Sequence, residues 1–567
     1  MLGLRARVSL SRDEGSALVT VLMVMLVLTI GGLALSAIVV NTSGMVTDSR
    51  STAQSRAAAD AGLAQALAVA LRDGEICDQG PIEVAPVNGT LDGGATYAVT
   101  RDCVSVEGRA IFSAVGRAPG GAITTTEAVY EYTPAPAVIK EPALITKAPL
   151  NLSALKIQAV DPDEPATVWV IPEPGVAGDF TCDSGGAIAG SVYLPAGTVR
   201  GVGGCVVAGD VYAEGDVTID RGTKIGGDLV SLNGKVSISG GSTVGKGVYA
   251  RNDITLSGGP KLHGDVVSVM GSVSVNGGIT IDGSIHAKQN VVGTSTGANV
   301  VQSIYAGGNL TLTGGGPVAR DRIMYGGAFS YSSGTAASWA VNSVTRTPLQ
   351  PVVSVPQLPS APEWQGITKA DLDSLVSSGM FEKITWTGAC AYDWYPEHEM
   401  VAKIKALTKP TLIDATHCAQ VDMHKYSGTT SLKTDVIFVA PSFNIEDQDF
   451  ESADGAAHRI WFIDPEVPGR TCDTVPPISI DGTNMNPGAG ASKISAMIFT
   501  QCTVDFPNSG EGWKGSIQAG KMTGKPNFWY TPVGFPGSTA PGEDEDSESG
   551  TEAILGDLIS RRDVASP

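Results

Sequence analysis

The sequence predicts a mainly β protein: a parallel β-helix of about 18–19 residues per coil, preceded by one long N-terminal transmembrane α-helix and a small antiparallel sheet. Three observations carry this. Aliphatic residues recur at Val192, Val211, Leu229, Val248, Val266, Ile285, Ile304 and Ile323, always 18 or 19 residues apart. The segment Ser16–Val40 runs for 25 residues without a charge. Seventy glycines, 33 prolines and only 6% aromatic residues describe a turn-dense chain with little material for bulky helix packing.

The N-terminal element comes first. Residues 1–15 form a charged leader with Arg5, Arg7 and Arg12 ahead of the apolar run. At 1.5 Å per residue, residues 16–40 reach ~37 Å as a helix, enough for a hydrocarbon core of ~30 Å. Basic residues before the span, and none after it until Arg50, place the N-terminus in the cytoplasm and the bulk of the chain outside, with a single pass and lipid contact through residues 16–40. Helical periodicity continues through a stalk at 41–74, where Ala59, Leu63, Leu67 and Leu71 repeat every four residues, so Ser16 to Arg72 reads as one helix. Alternating segments TYAVTRDCVSVEG, AIFSAVGR and TTTEAVYEYT then predict a small sheet within residues 75–140.

The run RDEGSALVTVLMVMLVLTIGG followed by SRAAADAGLAQALA resembles the N-terminal segment of type IV pilin-like proteins, most closely the PilX-type minor pilins. The resemblance implies processing after Gly15, leaving Ser16 as the mature N-terminus. Thr20 stands at the fifth mature position, where most pilins carry Glu.

The repeat occupies residues 141–346. Each unit has further aliphatic columns, Val217/Ile219, Val236/Ile238 and Ile254/Leu256 in one, Val207, Ile225, Val244, Leu262 and Ile281 in another. A unit this short cannot bury three strand centres alone, so coils must stack on copies of themselves. GDVVSVMGSVSVNGGITIDGSIHA resembles the bactofilin family of polymer-forming β-helix proteins, which implies a capacity to self-assemble. A Pro-rich linker is expected at 347–363, then a distal region at 364–536 that either resumes the solenoid with wider coils or forms a separate β domain. Residues 537–567, with the block GEDEDSESGTE, are expected to be an acidic disordered tail.

A formal charge of −20 disfavours phosphate backbones, so nucleic acid is not an expected partner. The eight cysteines fall in sequential pairs, Cys77 with Cys103, Cys182 with Cys205, Cys390 with Cys418, and Cys472 with Cys502, which suits disulfides outside the membrane. Asp210, Asp228 and Asp265 stack at one turn, as turn formers or as a cation or sugar ladder. Tyr193, Tyr212, Tyr249, His286 and Tyr305 follow the first column and are expected to face outward, where aromatic rings stack on glycans or on one another. Glu397, His398, Glu399, His417, Asp422 and His424 concentrate ligand-type groups without a recognised metal spacing. No catalytic set, metal or cofactor is expected. The reading is a noncatalytic, membrane-anchored structural or adhesive surface protein, its partners pilus or envelope proteins or surface glycans. The alternatives are a β-helix enzyme acting on surface polysaccharide and a self-polymerising scaffold.

Overall fold

The computed structural model describes residues 14–73, 87–104, 109–133, 141–537 and 554–564, the long stretch interrupted at 154–155, 184, 295–299, 315–317, 333–334, 348–352, 363, 365, 392–398, 425–428, 484, 486–492, 509–511 and 526. Two compact units result, Met1–Pro134 with Glu552–Pro567, and Ala135–Thr551. The second is therefore inserted into the chain of the first.

The first unit is a head on a long helix. The helix Glu14–Asp73 is 60 residues long. From residue 19 to residue 50 it is exposed on every side, whereas Ser51, Ser55, Ala58, Ala59, Leu63, Ala66 and Ala70 are buried at helical spacing. The stalk expected at 41–74 is thus in its second half a core element, packed with Val99, Ala110, Phe112, Ala114 and Ala128 of the sheet. The sheet is an antiparallel meander of Val87–Thr90, Thr96–Val104, Arg109–Arg117 and Ile123–Thr133. Small helix residues allow a close approach, closest at Gly116, where a Cβ would collide with the Ser55 carbonyl and the Ala59 amide. Gly116→Leu is expected to push helix and sheet apart and to cost the head about 3 kcal/mol, read as a lower midpoint in a thermal melt of the full chain.

The expected acidic tail at 537–567 is not wholly a tail. Within it, Ile554–Val564 is a strand that pairs antiparallel with Ile123–Thr133 and completes a five-stranded sheet. Arg562 meets Glu127 at 2.7 Å, Asp563 meets Arg56 at 2.8 Å, and Arg561 pairs with Asp60. The acidic composition of the neighbouring residues hid a segment whose partners lie more than 400 residues away.

The second unit is a parallel β-helix. Val192 lies opposite Val211, Val211 opposite Leu229, and so on to Ile304 opposite Ile323, in unbroken parallel register. A second face is a 10-stranded parallel file from Leu150–Ser153 to Phe329–Tyr331. The third face carries Val207, Ile225, Val244, Leu262 and Ile281. All of these aliphatics point inward and are 3% exposed or less. Each burial contributes about 1.5–3 kcal/mol, and only because a neighbouring coil closes over it.

Residues 364–536 resume the same solenoid. Glu382–Thr385, Thr411–Asp414, Val436–Val439, His458–Ile463, Ile494–Phe506 and Trp513–Gly524 pair in parallel succession. Trp513–Gly524 then pairs with Leu144–Thr146, and Asn527–Tyr530 with Lys156–Ala159. Spatial order therefore differs from chain order: the coils of 382–530 come first, and those of 144–346 continue from them. Glu141 fastens the join. Its carboxylate accepts the N–H groups of Val533 (2.8 Å) and Gly534 (2.7 Å) and the Ser516 hydroxyl (2.5 Å), while its carbonyl accepts the Tyr530 hydroxyl.

The Pro-rich segment accordingly does not lead outward to a separate region. Its start is held at Thr347, whose N–H donates to Tyr325 O at 2.8 Å. Its end is held at Trp364, whose ring lies 4.2 Å below Lys147 Nζ and 5.7 Å from Phe499. Between them, residues 353–362 have no regular hydrogen-bonded structure and are mostly half-buried.

Candidate functional site

The feature best fitted to contact something outside the protein is the exposed half of the long helix. It is long and apolar enough to cross a membrane, and none of its most apolar window is buried. Three of its hydroxyls return their hydrogen bonds to the helix itself: Thr29 to Met25 O (2.5 Å), Thr42 to Ile38 O (2.7 Å) and Ser43 to Val40 O (2.9 Å). No polar group of these side chains is then left unsatisfied in hydrocarbon. Gly15 and Ser16 fall in the helix's first turn; the leader up to residue 13 lies outside the described residues.

The aspartate ladder is built from turns. Asp210 Oδ1 accepts the N–H of Asp228 one coil on (2.8 Å), Asp228 Oδ1 that of Gly247 (2.8 Å), and Asp265 Oδ1 that of Ser284 (2.6 Å). A second ladder does the same at another corner, Asp216 to Lys235, Asp253 to Ser272 and Asn309 to Ala328. These side-chain oxygens stitch coil to coil by satisfying backbone donors at the bends.

The aromatic column lies on the outward side of its strands, but it is not open to solvent as the alternation implied. Tyr193, Tyr212, Tyr249 and His286 are 4–8% exposed, and Trp169, the same position one coil earlier, is 0% exposed. Tyr193 stacks on Trp169 with ring centroids 4.7 Å apart, and His286 on Tyr305 at 4.5 Å. Burial pushes the Tyr212 and Tyr249 phenols well above their ordinary range and the His286 imidazole below its own. Packing, not an open glycan platform, is what this column does.

Among the described residues, the ligand-type groups Glu399, His417 and Asp422 are not brought together. Glu399 pairs with Lys403 along its own helix (3.0 Å), and Asp422 accepts from Asn444 (2.9 Å). His417 Nε2 sits 3.5 Å from Cys418 Sγ and 3.8 Å from Cys390 Sγ, but these sulfurs are joined in a disulfide and offer no thiolate. Glu397, His398 and the side chain of His424 lie outside the described residues. Disulfides also join Cys182 to Cys205 and Cys472 to Cys502; the Cys77 and Cys103 pair lies outside what is described.

Two acidic groups escaped the sequence reading. Glu141 is one. Asp464 is the other, fully buried, accepting Arg470 Nη1 at 2.5 Å and the Thr500 hydroxyl at 2.8 Å. Its only sequence signal is a carboxylate directly after the buried strand RIWFI. Burial outweighs the Thr500 and Arg470 contacts and pushes the carboxyl up to about 6. Because the folded form then holds its proton more tightly than the unfolded form, the stability from this group is present at low pH and lost as pH rises through about 6. The free-energy gap between wild type and Asp464→Asn is expected to change by about 2 kcal/mol between pH 4 and pH 7, measured by melts across that range.

No family model matches the chain, and no curated protein does. Among solved structures, the competence-associated pilin ComZ from Thermus thermophilus is similar over 91% of this chain and 97% of its own, at 10% identity and a TM-score of 0.28. A likeness that loose supports no functional argument.

Proposed function

We propose that the chain is a noncatalytic, membrane-anchored surface protein of pilin-like build, which holds a β-helical rod outside the membrane for structural or adhesive contact. The observation that carries this is the division of one helix between two environments. Its first half presents apolar side chains to the surroundings all round, and its second half is the core of a small antiparallel head. The rod is carried as an insertion between the head's strands Ile123–Thr133 and Ile554–Val564.

Arginines ahead of the span and disulfides after it support an outward-facing bulk. Of the outward residues of the rod's second face, Thr218, Ser237, Thr255, Ser274 and Thr311 carry hydroxyls, Arg200 a guanidinium and Val292 an aliphatic side chain, with no converging acids among them. That favours a structural or adhesive surface over polysaccharide cleavage. Envelope proteins and surface glycans are the partners this reading implies.

Fractionation of expressing cells, followed by protease treatment of intact cells, tests it. The protein should sediment with membranes, lose its rod to external protease, and begin at Ser16 on N-terminal sequencing. A start at Met1 would reduce it to a plain anchor. Recovery in the soluble fraction with reduced cysteines would overturn the proposal.

A further inference from the structure

We propose that the outward face of the column formed by residues 144–346 is a groove for a polyproline-II peptide, occupied by the chain's own residues 353–362. The inference does not depend on where in the cell the protein sits.

Equivalent positions on two faces of the same coils behave oppositely. Tyr212 and Val230 on the first face are 8% and 0% exposed, while Arg200 and Thr218 on the second face lie open. Something must lie across the first face. The connection from Thr347 to Trp364 is fixed at the coil of Tyr325 at one end and beside Lys147 at the other, so it has to travel back along the column.

Length and periodicity agree with polyproline II. The strongly buried part of the face runs from Ile145 to His286, seven pairing steps, or ~34 Å at the ~4.8 Å spacing of adjacent strands. Residues 353 to 364 span ~34 Å at the ~3.1 Å rise of polyproline II, whereas an α-helix would cover only about half of that. Val353, Pro356, Pro359 and Pro362 fall at every third residue and are all half-buried, while Gln357 and Ser360 are exposed. A β-strand would alternate every second residue instead.

Three polyproline-II residues advance ~9.3 Å, and two coils advance ~9.6 Å. Each proline therefore meets an equivalent site two coils after the last. Aromatic-lined grooves are the usual receptors for such peptides, because the extended ligand is already ordered before binding.

Hydroxyl-radical footprinting of the full chain in detergent tests the occupancy without any substitution. Pro356, Pro359, Pro362, Tyr212 and Tyr249 should be protected, with Gln357 and the exposed Tyr331 labelled normally. Equal labelling of all these residues would overturn the proposal. In the triple variant P356G/P359G/P362G, His286 should react with diethylpyrocarbonate at least tenfold faster. A synthetic VSVPQLPSAPEW peptide should restore protection, and a scrambled peptide should not. Unchanged His286 reactivity in a folded variant, or equal rescue by the scrambled peptide, would refute it; if the variant does not fold, the wild-type footprint decides.

Discussion

Deleting residues 552–567 is expected to unfold the head and spare the rod. Ile554–Val564 pairs along most of Ile123–Thr133, and its Arg561, Arg562 and Asp563 reach Asp60, Glu127 and Arg56. Without it, one sheet edge loses a full ladder, and Glu127, with its side chain 20% exposed, loses its cation. The remaining strands are small, and their core is built largely from alanine side chains. The loss is expected to exceed about 5 kcal/mol, the lower end of a whole domain's stability. Trypsin digestion with mass spectrometry provides the measurement: cleavage at Arg109 and Arg117 should become rapid in the truncated chain, while peptides spanning 192–325 stay protected. Equal protection of Arg109 and Arg117 in both chains would show that the last strand is dispensable.

Separating the two halves of the solenoid should be more damaging still. Residues 141–346 expressed alone would expose Leu144 and Ile157 at an uncapped end, since the strands that cover them, Trp513–Gly524 and Asn527–Tyr530, come from the other half. An uncovered parallel edge above an apolar core invites pairing between copies. Aggregation is therefore expected for 141–346, and a monodisperse complex when 353–537 is co-expressed, both read by size-exclusion chromatography with light scattering. Glu141→Ala in the full chain tests the join more gently. It strands two backbone N–H groups and the Ser516 hydroxyl around a buried site and should cost about 3 kcal/mol. A well-behaved monomer of 141–346 would contradict this order of coils.

What was legible in the chain was whatever repeats. Val192 through Ile323 announce the coil length because each occupies the same inward position, and the apolar run 16–40 announces itself by having no charge. What was not legible depends on partners far away in sequence. The outward tyrosines follow the alternation of a strand, yet Tyr193 and Tyr212 are buried because the face they share is covered, and alternation says nothing of a cover. Ala58, Ala59 and Ala66 read as a helical stalk because small residues favour helix in any setting, and only the sheet shows that their size serves contact at Gly116. The strand Ile554–Val564 was averaged into an acidic composition. Of the candidate sites, the carboxylates of Asp210, Asp228 and Asp265 were correctly visible as turn formers, whereas nothing near Asp464 marks it as buried.

The inverted stacking of the solenoid has a bearing on how the chain is made. As a ribosome or an export channel delivers it, residues 144–346 emerge before the coils on which they rest, so the earliest windings have no floor until Tyr530 has passed. The segment must either wait unwound or form an incomplete intermediate, and closure couples residues nearly 400 positions apart, a slow step by the usual dependence of rate on contact separation. Vectorial delivery thus favours late, concerted winding of the whole column over winding one turn at a time.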